Sequence, residues 1–87
     1  MAWQVEFAER PRKALRKLDK QAATRIITAL EAIANLDDPR LRGKALTGTL
    51  SGLWRYRVGD YRIIVKIEED RFVIIVIEVA HRREVYR

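Results

Sequence analysis

Residues 54–67 read WRYRVGDYRIIVKI, from Trp54 to Ile67, and the reading of this stretch decides the fold. Apolar and charged side chains alternate with a period of two on either side of Gly59-Asp60, the pattern of two half-buried strands. Gly59 is free to adopt the positive φ of a two-residue type II′ turn, so the strands pair as a tight hairpin. The short loop sets the register: Val58 faces Tyr61, Arg57 faces Arg62, Tyr56 faces Ile63 and Arg55 faces Ile64. Trp54, Tyr56 and Val58 then share one face with Tyr61, Ile63, Val65 and Ile67, which a core must cover. The other face carries Arg55, Arg57, Arg62 and Lys66.

Downstream, Phe72–His81 reads as a third strand, with Phe72–Ile77 apolar on both faces as in the middle of a sheet. Glu69-Asp70, or the wider Glu68–Arg71, closes the second hairpin. Carrying the same parity across places Val73, Ile75, Ile77, Val79 and His81 on the arginine face. Upstream, the segment Asp37–Gly52 (DDPRLRGKALTGTLSG) holds three of the four glycines and reads as a loop with little regular structure, basic at Arg40, Arg42 and Lys44. Before it, Asp19 caps a helix in which Ala22, Ile26, Leu30 and Ile33 recur at helical spacing until Asn35 and Pro39 end it. Pro11–Leu18 forms a shorter helix with Ala14, Leu15 and Leu18 on one side. Trp3–Phe7 alternates as an N-terminal strand. The expected class is α+β: an N-terminal strand, a helical hairpin and a three-strand antiparallel meander (β-α-α-β-β-β). The helices pack on one face of a small twisted sheet, in one domain over residues 1–87.

Composition narrows the chemistry. The 87 residues are 48% hydrophobic and 34% charged, with a formal net charge of +6, no cysteine and one histidine. That inventory excludes disulfides, zinc-thiolate sites, thiol nucleophiles and paired-histidine catalysis. Charges at Glu6, Glu9 and Arg10 leave no room for the apolar core of a signal peptide. The longest apolar run, Phe72–Ile77, is six residues, against the ~20 of a membrane span. The expectation is a cytoplasmic protein without metal or cofactor, whose basic bias suits a polyanionic partner. The four glycines are dispersed, so there is no phosphate loop of the Walker or dinucleotide type.

Arg57 opposite Arg62 is the informative pair, because like charges at opposed positions destabilise a sheet by up to ~1 kcal/mol. From the residues alone, either solvated, splayed arginines or an anion site accounts for it. The chain ends in HRREVYR, which adds His81, Arg82, Arg83, Tyr86 and Arg87. For His81 a partly exposed rim position, and for Tyr86 a ring covering the core edge, are the plain readings. Metal-free cleavage of RNA fits this inventory. The 2′-hydroxyl is itself the nucleophile, so the protein need supply only a base, an acid and charge stabilisation, and arginines suit the last role. A tyrosine among cations is biased towards phenolate, the direction a base requires.

The segment LRGKALTGTLSGLWRYRVGDYRIIV and the ending HRREVYR resemble the RelE/ParE superfamily of bacterial toxins, closest to RelE. The resemblance implies a toxin of a type II toxin-antitoxin module that cleaves mRNA in the ribosomal A site through a 2′,3′-cyclic phosphate. It assigns catalytic roles to Arg55, Arg57, Arg62, Arg82 (general acid) and Tyr86 (general base). RNA or ribosome contacts are expected from Arg42, Lys44, Lys66, His81, Arg83 and Arg87. The implied partners are a RelB-like antitoxin, the ribosome and mRNA, with the free toxin monomeric. The best-known RelE has lysines where Arg55 and Arg57 stand, and a longer turn. The same scaffold also serves ParE-like topoisomerase poisons that cut no RNA, and a catalytically inactive nucleic-acid-binding member is a third possibility.

Overall fold

The computed structural model describes residues 2–85, with side chains described as far as Arg83. In chain order the elements are β1 (Gln4–Phe7), α1 (Glu9–Lys17), α2 (Lys20–Ala34), β2 (Lys44–Ala45), β3 (Trp54–Val58), β4 (Tyr61–Glu68), β5 (Val73–His81) and α3 (Arg82–Val85). Short 3-10 turns at Pro39–Arg42, Gly48–Leu50 and Glu69–Arg71 punctuate the connections. The sheet order is β1-β5-β4-β3-β2. β3, β4 and β5 form the expected antiparallel meander, and β1 lies parallel to β5 with Val5 beside Ile74. The β3–β4 register is the one the two-residue loop dictates, from Val58 opposite Tyr61 to Trp54 opposite Val65. Gly59 takes a φ of 58°, as the turn requires.

The two longer helices, α1 and α2, pack on one face. Asp19 Oδ1 accepts the Ala22 N–H at 2.8 Å and starts α2, whose Ile26, Leu30, Ile33 and Ala34 are buried. These meet Trp3, Tyr56, Ile63, Val65, Ile74 and Val76, with Leu15 of α1 and Leu18, which follows it, at the margin. Each fully buried Ile or Leu contributes about 1.5–3 kcal/mol over an exposed one. The N–H of Trp3 donates to Ala34 O at 2.7 Å, which ties the start of β1 to the end of α2.

Three expectations change. The segment Asp37–Gly52 is not without regular structure: Lys44 and Ala45 form β2, an edge strand paired with Arg55 and Trp54. Two residues are too few to show an alternation, so no periodicity betrays this strand. The Tyr56 hydroxyl donates to Pro39 O at 2.9 Å and holds the preceding 3-10 turn against β3. The second change is a register shift in the β4–β5 ladder. Ile64 faces Glu78 while the next residue, Val65, faces Val76, so Ile77 is the extra residue of a bulge. Val73 and Ile75 stay on the arginine face, but Val79 and His81 turn to the helix face, opposite Ile63 and Tyr61. Finally, Phe72 is not part of the last strand. It sits in the left-handed region (φ 52°, ψ 47°), ending the wider of the two expected turns, with its ring edge-on to Trp3 at 5.2 Å.

Candidate functional site: a basic cleft at the hairpin end of the sheet

The strand parity that buries Tyr56, Ile63 and Val65 drives Arg55, Arg57 and Arg62 to the face without helices. β2 adds Lys44 to that face, in register with Arg55. Around the Gly59-Asp60 turn these side chains form a cleft of about 230 Å³, lined by Arg55, Arg57, Gly59, Asp60, Tyr61, Arg62 and Arg82. Arg82 arrives because β5 ends beside the start of β4: Tyr61 pairs with His81, and the next N–H, of Arg82, donates to Asp60 O at 2.7 Å. A second, more open cleft of about 560 Å³ adjoins it, lined by Asp60, His81, Arg82 and Arg83. Asp60 and Arg82 belong to both and form the ridge between them.

Electrostatically, four guanidinium groups share the first cleft with one carboxylate. Arg82 Nη1 stands 3.9 Å from Asp60 Oδ1, a loose and well-exposed pair. Arg55 and Arg62 are part-buried, and the Nε of each is shielded from solvent with no hydrogen-bond partner. Ile64 lies on their face at only 3% exposure, so the arginine face is not fully solvated. A shielded, unsatisfied N–H beside fixed positive charge is a donor set for an anion, and guanidinium groups bind phosphate oxygens in pairs. His81 packs edge-on to Tyr61 at 5.2 Å, and its Nδ1 accepts the Arg83 N–H at 3.1 Å.

The structure therefore brings together Arg55, Arg57, Arg62 and Arg82, with Arg83 and His81 in the adjoining cleft. Three of the other expected contacts lie elsewhere. Arg42 is exposed in the 3-10 turn before β2, and Lys44 is exposed on the arginine face beside Arg55. Lys66 lies on the same face but four residues along β4 from Arg62, about 13 Å. Tyr86 and Arg87 lie outside the described residues. Two acids were not singled out by sequence reasoning. Asp60 was assigned to the turn alone, and its approach to Arg82 depends on the Tyr61–His81 pairing, which the bulge hides from strict alternation. Glu78 is exposed on the arginine face opposite Ile64 for the same reason. Among the described residues no group of three or more His, Cys, Asp or Glu side chains could hold a metal ion. No described helix is long and apolar enough to cross a membrane.

Known proteins resemble the chain over nearly all of its length. The family model described as the ParE toxin of the type II toxin-antitoxin system parDE matches residues 5–86. The toxin RelG of Mycobacterium tuberculosis is 30% identical over 88 residues, covering 100% of this chain and 99% of the relative. Among solved structures, the toxin-antitoxin complex RelBE2 of Mycobacterium tuberculosis superposes with a TM-score of 0.85 at 24% identity, over 94% of this chain and 93% of that one. The archaeal RelE-RelB complex of Pyrococcus horikoshii OT3 gives 0.73 at 28% identity, over 94% and 97%.

Proposed function

The chain belongs to the RelE/ParE family of type II toxin-antitoxin toxins, and from that premise we propose that it is an endoribonuclease cutting mRNA in the ribosomal A site. The observation that carries the reading is the cleft itself: Arg55, Arg57, Arg62 and Arg82 around one space, two of them with shielded, unpartnered Nε donors. In this reaction the 2′-oxygen attacks the adjacent phosphorus and the bond from phosphorus to the 5′-oxygen breaks. The products are a 2′,3′-cyclic phosphate and a 5′-hydroxyl. Arg55, Arg57 and Arg62 offset the charge that gathers on the phosphorane oxygens. Arg82, which lines both clefts, protonates the departing 5′-oxygen, and Tyr86 takes the 2′-hydroxyl proton. Lys44, Lys66, Arg42, His81, Arg83 and Arg87 contact RNA or ribosome around the cleft.

The toxin acts in the cytoplasm, where translation occurs, and is neutralised by an antitoxin whose acid-rich amphipathic segment folds over the basic face or the helices. Several structural relatives are complexes of RelE with RelB, which supports a partner of that kind. A second reading, a ParE-like topoisomerase poison, is favoured by the name of the matching family model. Mapping mRNA ends and double-strand DNA breaks after brief induction separates the two. Arg62→Ala and Arg82→Ala each lower A-site cleavage by about 10²–10³-fold and relieve growth arrest. Both variants keep the wild-type circular dichroism. Undiminished cleavage by a well-folded double variant would sink the site assignment.

A further inference from the structure

Among the described residues Asp60 is the one acid lining a cleft that holds four arginines, and it repels the polyanion that the cleft is suited to bind. Two contacts join it to Arg82, and they act on different parts of that residue. Its main-chain oxygen accepts the Arg82 N–H at 2.7 Å, fixing where the backbone leaves β5. Its carboxylate stands 3.9 Å from Arg82 Nη1, and both residues line the two clefts. A turn has no need of that charge, because Asn serves a turn as well as Asp. A long, exposed arginine does need a partner to be held in place before substrate arrives.

We propose that Asp60 is a positioning residue: its carboxylate holds the Arg82 guanidinium at the ridge, at the expense of substrate affinity. The inference rests on reading the cleft as the nuclease site. It sets two opposed effects on one side chain, so that loss of the charge slows turnover while favouring binding. A purely structural role for Asp60 predicts neither.

Asp60→Asn keeps the turn and removes the charge. With ribosome-bound mRNA as substrate it lowers kcat about three- to tenfold and lowers KM as well. Asp60→Glu recovers most of kcat, and in an Arg82→Ala background Asp60→Asn causes no further loss. An unchanged kcat, or an equal loss in the Arg82→Ala background, overturns the proposal. A second measurement does not depend on catalysis. In the free protein, Asp60→Asn shifts the Arg82 Nε–Hε resonance and loosens the side chain, while the Arg82 amide keeps its exchange protection. If the Arg82 side chain does not respond, the positioning role is wrong whatever the activity. If it responds but the wild-type protein cuts no mRNA, the nuclease reading fails and the positioning stands.

Discussion

Tyr56 sits between two cleft arginines and points the other way, into the core at 2% exposure, where its hydroxyl reaches Pro39 O at 2.9 Å. Burial pushes its phenol from 10.0 up to about 12, with the Asp38 carboxylate adding to the rise and the Arg40 guanidinium opposing it. The unfolded chain loses this proton near pH 10 while the folded chain keeps it to about 12, so the folded state binds more protons in that window. The resulting stability is fully present below the lower value and is lost as pH climbs through the upper one, by ~2–3 kcal/mol. Tyr56→Phe should cost ~1–2 kcal/mol at neutral pH, through the stranded Pro39 carbonyl, and flatten the alkaline decline. Urea melts at pH 7 and across pH 10–12 measure both; an unchanged alkaline slope would show that Tyr56 is not its source. Gly43 serves the same contact. A Cβ there would stand 2.9 Å from the Tyr56 ring, although its backbone (φ −104°) suits any residue. Gly43→Ala is therefore a steric change, expected to cost ~1–3 kcal/mol in the same melts.

At the scale of elements, the β3–β4 hairpin holds Arg57 directly across from Arg62. Replacing one of an opposed like-charged pair removes a repulsion of up to ~1 kcal/mol, reduced here by solvent around the exposed Arg57. Arg57→Gln should raise the melting temperature by about 2–6 °C while lowering RNA cleavage. A fall in melting temperature would mean that the pair is not strained. This arrangement was legible in the sequence because a two-residue loop leaves one register and strict alternation assigns every face. The far half of the sheet was less so. The bulge at Ile77 breaks the alternation inside an all-apolar run, where nothing in residue type marks the extra position. His81 consequently lies opposite Tyr61 on the helix face, and not on the face of Arg55, Arg57 and Arg62. β2 escaped because it is held by tertiary pairing and by the Tyr56–Pro39 bond, with no pattern of its own. Asp60 was visible as a turn residue, but its second use emerges only when the end of β5 arrives beside the turn.

Over the whole molecule, the paired and unpaired charges separate along the sheet. At the end where β4 stops, Arg71 meets Glu6 and Glu68, at 3.7 and 3.0 Å, while Arg40 meets Asp38 and Glu69. At the other end, roughly 24 Å away along β4, the described arginines of the cleft have only the loose Asp60 contact. The loosely paired arginines are thus gathered at one end of the sheet, while other basic residues of the +6 chain are exposed on α1. A focused site leaves a measurable signature, because each phosphate neutralised on a single strand releases bound counterions. Four cleft arginines predict a slope of roughly −2 to −3 in log K against log salt for a short single-stranded RNA. The Arg55→Gln, Arg57→Gln double variant should flatten that slope by about 0.7 for each lost contact, as fluorescence anisotropy over a salt series would show. Arg12 and Arg16 of α1 provide the control, since their replacement by Gln changes net charge equally and leaves the cleft intact. If the two double variants flatten the slope alike, binding follows total charge, and the cleft has no privileged hold on RNA.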